Sequence, residues 1–121
     1  MTPGRVAGSG ALLAGLAVAL GAFGAHSFQD LLTEQRLATF ETAVRYQMFH
    51  ALALLAAAAL GERACRAAPW LLAGSVIFSG SLYLLVAGGT SWWGAVAPLG
   101  GILQIVGWAY LAVLLFRRQP G

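Results

Sequence analysis

Residues 41–50 read ETAVRYQMFH, and this stretch decides how the rest of the chain must fold. It places a Glu, an Arg, a Tyr, a Gln and a His at the start of a segment that then becomes wholly apolar. The whole chain is 60% hydrophobic and only 9% charged, whereas soluble domains carry roughly a quarter charged residues. The composition therefore indicates an integral membrane protein, in which polar groups are costly and need partners.

Four apolar segments are candidates to cross a bilayer, which takes roughly 20 apolar residues in a helix. The second segment is apolar over residues 48–61 except for His50, so it must draw in residues 42–47 to span. We expect the helix itself to run from about Thr33 or Leu37 through Leu60. The sequence predicts an all-α membrane protein: a single, compact four-helix transmembrane domain over residues 1–121. The predicted spans are 6–25, 42–61, 68–88 and 95–116. We expect 6–25 to be a retained helix and not a signal peptide, because three more hydrophobic segments follow.

Polar residues collect between the first two spans and on one side of the bundle. Leucines among charges over residues 27–39 predict a short amphipathic segment at the interface. With four spans, five arginines share the side of both termini, against two on the other side: Arg5, Arg63, Arg66, Arg117 and Arg118, against Arg36 and Arg45. The positive-inside rule therefore predicts that both termini are cytoplasmic. The arginines form no groove with interleaved aromatics, so we expect no nucleic-acid partner.

Helical periodicity divides the polar residues of the second span between two faces. Glu41 and Arg45 lie four residues apart, in the order that favours an ion pair. We expect this interfacial pair to fix the depth of the helix. Tyr46, Gln47 and His50 face the bundle, in the outer part of the membrane. With the inward groups of the third and fourth spans, the predicted intramembrane polar cluster comprises Tyr46, Gln47, His50, Ser79, Tyr83 and Gln104.

Small residues mark the predicted packing faces, because they let membrane helices approach each other closely. Gly8 and Gly15 belong to a stripe of Gly and Ala along the first span. Gly100, Gly101 and Gly107 share one broad face of the fourth span. We therefore predict helix packing at these five glycines, with a homo-oligomer or another membrane protein as an expected partner besides lipid.

Two interpretations of the polar cluster stay open. As hydrogen-bonding glue, it belongs to a non-enzymatic interaction or accessory protein of the membrane. As the lining of a polar path around His50, it belongs to a small transporter or channel. No Asp accompanies either His to complete a catalytic set. The single Cys65 excludes a multi-cysteine metal site, and His26 and His50 lack a third ligand. We therefore expect no enzyme activity, no metal and no cofactor.

Four motifs together resemble a known family. They are GAFGAH at residues 21–26, ETAVRYQMFHALALL at 41–55, FSGSLYLL at 78–85 and APLGGILQIVGW at 97–108. In this order and spacing they resemble the YgdD/YwdK-like family of small membrane proteins, a group of unknown function with bacterial members and a mitochondrial-type animal relative. The resemblance covers nearly the whole chain. It implies a four-helix protein of a bacterial inner membrane, and it supplies no activity or catalytic residue.

Overall fold

The computed structural model describes residues 1–118, which form four long helices: α1 (Pro3–Ser27), α2 (Glu34–Leu60), α3 (Ala68–Val86) and α4 (Trp92–Phe116). A short 3-10 turn, Ala64–Ala67, leads into α3. No strand occurs within this range. All four helices are long and apolar enough to cross a membrane, with α3 counted together with its 3-10 turn. The predicted all-α fold with four membrane-spanning helices is confirmed.

The helix ends follow local backbone chemistry more closely than hydropathy. The side-chain oxygen of Thr33 accepts a hydrogen bond of 3.1 Å from the backbone N–H of Arg36. Thr is a favoured N-cap because it satisfies a backbone donor that has no partner inside the helix. α2 therefore begins at Glu34, close to the helix start expected near Thr33 and outside the predicted membrane span of residues 42–61. The predicted amphipathic segment is divided between a turn at residues 28–33 and the first turns of α2.

The connection between α2 and α3 is partly buried. Gly61 ends α2 in the left-handed region, with φ at 108°, a conformation that glycine adopts without steric cost. Cys65 in the following 3-10 turn is only 1% exposed, and its thiol lies 3.7 Å from the carbonyl oxygen of Ala57. The main apolar core lies at this end of the molecule, where Leu54 and Leu71 are fully buried.

Neighbouring helices pack in chain order. α1 packs against α2, α2 against α3, and α3 against α4. The contacts of α1 are almost entirely with α2, so one narrow stripe of α1 is buried while most of its surface faces outward. α2 and α3 therefore each pack against two of the other long helices.

Glycines bring the backbones of α3 and α4 close together. A Cβ atom added at Gly100 would lie 2.3 Å from the backbone nitrogen of Phe78. One added at Gly107 would lie 2.8 Å from Leu71 Cδ2, whereas at Gly101 the nearest atom is Phe78 Cδ2 at 3.9 Å. The predicted packing is therefore found at Gly100 and Gly107 and is only marginal at Gly101.

The first helix differs from the prediction. A Cβ atom added at Gly8 or Gly15 would meet nothing within 4 Å, and both residues are exposed. Gly10 faces α2 instead, where an added Cβ would lie 2.7 Å from the carbonyl oxygen of Ala51. The physical reason is that α1 packs against α2 through the other side of the helix. The stripe of Gly and Ala therefore points away from α2.

Candidate functional site

Two residues of the predicted polar cluster lie at the middle of their helices. Gln47 is the central residue of the 27-residue α2, and Gln104 is the central residue of the 25-residue α4. The predicted depth of Gln47 and His50, in the outer part of the membrane, stays a prediction. Lipid supplies no hydrogen-bond partner within the hydrocarbon region.

Gln47 joins three helices through one side chain. Its Nε2 donates a hydrogen bond of 2.8 Å to the carbonyl oxygen of Leu13 in α1. Its Oε1 accepts a hydrogen bond of 2.6 Å from the hydroxyl of Tyr83 in α3. The Gln47 side chain is buried, with 4% of its surface exposed. Its amide thus links α1 to α3 through two hydrogen bonds.

Ser79 adds a second link between α2 and α3. Its Oγ donates a hydrogen bond of 2.8 Å to the carbonyl oxygen of Ala43. Ser79 lies one helical turn from Tyr83, whose ring packs against Phe40 with centroids 5.6 Å apart. The structure therefore brings Gln47, Ser79 and Tyr83 together, as the spacing along their helices implied.

His50 forms a separate link, between α2 and α4. Trp108 Nε1 donates a hydrogen bond of 3.0 Å to His50 Nε2. Because an indole N–H only donates, His50 Nε2 must be the unprotonated nitrogen of a neutral ring. Nδ1 then carries the proton and donates it to the carbonyl oxygen of Tyr46, 2.7 Å away. Both ring nitrogens are thus engaged and the tautomer is fixed.

Trp108 was not predicted as a partner of His50. Its position four residues after Gln104 placed it on the inward face of α4, which was the available signal. Tyr46 was predicted in the cluster, but its side chain is 39% exposed. Its ring packs against Phe78, with centroids 5.1 Å apart, and it contributes to the hydrogen bonds through its backbone carbonyl.

Two buried polar atoms stand apart from these links. Gln104 Nε2 and Ser75 Oγ lack a hydrogen-bond partner among residues 1–118. Gln104 packs its aliphatic part against Gly74 of α3, so it does not join Gln47 or His50. Buried polar groups are nearly always bonded, and each exception needs an explanation.

The two residues of the predicted ion pair, Glu41 and Arg45, lie at the surface of the protein. Both side chains are exposed, and they line a pocket of about 310 Å³ together with Gln29. No ion pair joins them in the described part of the chain. Arg36 instead donates to the carbonyl oxygen of Leu85 at the end of α3, where a cation is favoured by the helix dipole. No pattern in the sequence predicted this contact.

A groove opens between α1 and α3, with α2 as its floor. Its volume is about 380 Å³, and the side chains of α1 that line it are apolar. The other sides combine Val76 and Gly80 with four polar residues: Gln47, Ser75, Ser79 and Tyr83. No charged residue lines the groove. Over residues 1–118 no group of three or more His, Cys, Asp or Glu residues is placed to hold a metal ion.

Comparison with known proteins gives consistent matches over most of the chain. Residues 20–101 match the family described as "Protein of unknown function (DUF423)". The membrane protein YwdK of Bacillus subtilis is 43% identical over 110 residues, which is 86% of this chain and 89% of YwdK. The membrane protein SAB0533 of Staphylococcus aureus is 40% identical over 112 residues, covering 89% and 92% of the two chains. The inner membrane protein YgdD of Escherichia coli is 38% identical over 109 residues, covering 84% and 82%. No solved structure matches the chain.

Proposed function

We propose that this chain, which belongs to the DUF423 family of membrane proteins, is a non-enzymatic protein that acts through helix–helix contacts inside the bilayer. It would serve as an interaction partner or an accessory subunit of an assembly. The family matches confirm the resemblance seen in the sequence. They carry no activity, so the proposal is based on geometry.

The exposed face of α1 is the observation that supports this function. α1 buries only four residues: Val6, Gly10, Ala17 and Gly24. The small residues of its predicted stripe are all exposed: Gly4, Gly8, Ala11, Gly15, Ala19 and Ala22. A row of small side chains contributes little to packing against lipid, whereas it lets a further helix approach closely.

The state of the polar cluster supports a structural role for it. Gln47, Ser79 and Tyr83 are bonded to one another or to backbone carbonyls. Both ring nitrogens of His50 are engaged as well. Interhelical hydrogen bonds of this kind contribute on average about 0.6 kcal/mol each in a membrane. Nothing in this arrangement favours the transporter hypothesis, since a proton path through His50 would first have to break its bond with Trp108.

We place the protein in a bacterial inner membrane with both termini in the cytoplasm. The unequal distribution of arginines supports this orientation. The printed name of the Escherichia coli relative YgdD describes that protein as an inner membrane protein, which supports the compartment.

Substitution of the exposed glycines tests the proposed contact. The variant Gly8→Leu/Gly15→Leu fills the face, and Ala112→Leu is the matched control, because Ala112 is exposed on α4. The mass of the complex is measured after chemical crosslinking of native membranes. The same crosslinking of purified protein in liposomes tests whether the partner is a second copy of this chain. We expect a discrete complex in the wild type and in Ala112→Leu, and its loss in Gly8→Leu/Gly15→Leu. A monomer in liposomes and in native membranes would contradict the proposal, and so would a complex that survives the double substitution.

A further inference from the structure

The groove between α1 and α3 has the dimensions of a small-molecule site. Its volume of about 380 Å³ lies within the range of roughly 300–1,000 Å³ that such sites occupy. Its walls include Leu13, Leu16, Leu20 and Phe23 from α1. Because α1 makes almost all of its contacts with α2, the groove opens sideways towards the acyl chains of the bilayer. A ligand would therefore enter from the membrane.

Ser75 supplies an unused hydrogen-bonding group in this groove. It is 1% exposed, it lines the groove, and its Oγ has no hydrogen-bond partner among residues 1–118. A serine hydroxyl has staggered positions to choose between, and one of these can direct it to a molecule in the groove. Leaving a buried hydroxyl unpaired is unfavourable, because the group has lost its hydrogen bonds to water. A ligand that bonds to Ser75 would recover this cost.

Two protons of the polar residues that line the groove remain unused. The amide of Gln47 has two N–H protons, and one of them is used on the carbonyl oxygen of Leu13. Tyr83 and Ser79 already donate their hydroxyl protons to Gln47 and Ala43. The unused protons are therefore those of Ser75 and the second N–H of Gln47. A carbonyl oxygen, with two lone pairs and no proton, can accept both of them.

The depth of the groove in the membrane and the lack of charge in its lining limit the class of ligand further. Gln47 is central in α2, and Ser75 lies two residues, about 3 Å along the axis, from the centre of α3. The ester carbonyls of phospholipids lie outside a hydrocarbon core about 30 Å thick, so they do not reach this level. Acyl chains reach it but carry no acceptor. The uncharged lining excludes an ion.

We propose that the groove between α1 and α3 binds a neutral, lipid-soluble carbonyl compound of the quinone or ketone type, with Ser75 and Gln47 donating to its carbonyl oxygen. The ring and the first part of a tail occupy the groove, and the rest of the tail extends into lipid. This site goes beyond the helix contact proposed for α1 and does not depend on it. The oligomeric state measures the helix contact, whereas ligand retention measures the groove.

Binding is tested with decylubiquinone as the probe and purified protein in phosphatidylcholine nanodiscs. The measured quantity is the quinone held in excess of that dissolved in protein-free nanodiscs with the same lipid content. We expect saturation near one quinone per chain. Ser75→Ala removes one hydrogen bond and should weaken binding about fivefold. Dodecylbenzene, which has a ring and a tail but no carbonyl, should compete at least fivefold more weakly than a second quinone.

A blocking variant provides a steric test. A Cβ atom added at Gly80 meets nothing within 4 Å, and Gly80 lines the groove. Gly80→Leu should therefore fill the groove and abolish retention, while Ala112→Leu on the exposed side of α4 should leave it unchanged. Three results would overturn the proposal: no excess over protein-free nanodiscs, equal competition by dodecylbenzene, or full retention by folded Gly80→Leu. If Gly80→Leu does not fold, Ser75→Ala and the dodecylbenzene competition decide the outcome.

Discussion

Gly100→Ala should separate α3 from α4 at the place where their backbones are closest. The added Cβ atom would lie 2.3 Å from the nitrogen of Phe78, 2.8 Å from its Cα and 2.9 Å from the carbonyl oxygen of Gly74. Ordinary contacts of a Cβ atom begin at 3.4 Å, so the helices must separate by on the order of 1 Å, the shortfall at the closest contact. All three obstructing atoms belong to the backbone, and no side-chain rotation can relieve them.

The expected loss of stability follows from two opposing terms. Overpacking of a close contact costs about 1–3 kcal/mol. Alanine is a better helix former than glycine by about 1 kcal/mol in water, which offsets part of that cost. We therefore expect Gly100→Ala to lower the free energy of unfolding by up to about 2 kcal/mol.

Gly101→Ala is the matched control for this measurement. It makes the same chemical change at the adjacent residue, where the nearest atom to the added Cβ is a side-chain carbon of Phe78 at 3.9 Å. Unfolding would be followed by far-ultraviolet circular dichroism while sodium dodecyl sulfate is titrated into protein in a mild detergent. We expect a lower midpoint for Gly100→Ala and an unchanged or higher midpoint for Gly101→Ala. Equal midpoints for the two variants would refute the packing of α3 on α4 described above.

Two further predictions concern the hydrogen bond between Gln47 and Tyr83 and the orientation of the chain in the membrane. Gln47→Leu should lower the free energy of unfolding by about 1–3 kcal/mol, because it leaves the Tyr83 hydroxyl without an acceptor. The double variant Gln47→Leu/Tyr83→Phe should cost less than the sum of the single variants, and strict additivity in the same detergent titration would argue against the bond. In a Cys65→Ser background, a membrane-impermeant maleimide added to intact cells should label Thr90→Cys and not Thr2→Cys. The reverse labelling pattern would place the termini outside.

Hydropathy was sufficient to predict four spans because a bilayer imposes a minimum apolar length. The length of an apolar run does not by itself say where a helix begins. α2 starts among polar residues, after the cap at Thr33, and α4 starts at Trp92. The start of α2 depends on backbone capping, to which an apolar count is insensitive.

Periodicity identified which residues share a face, but it did not identify what the face touches. Gly100 and Gly107 pack within the protein, whereas Gly8 and Gly15 form an equally regular pattern that points outward. The pairing of Gln47 with Tyr83 could be expected, since both are polar groups on inward faces. The pairing of His50 with Trp108 could not, because an indole at a helical position suggests apolar packing as readily as a hydrogen bond. Such assignments require the arrangement of the helices in space.

The central claim is that another protein helix covers the small-residue face of α1. It is tested most directly by site-specific photo-crosslinking in native membranes, with a diazirine side chain placed at single exposed positions of α1 and, as controls, of α4. Ala11 and Ala22 lie on this face, whereas Ile102 and Ile105 are exposed on α4, at 56% and 70%. We predict protein adducts of one defined mass at Ala11 and Ala22, and lipid adducts alone at Ile102 and Ile105. Lipid adducts alone at all four positions would contradict the claim.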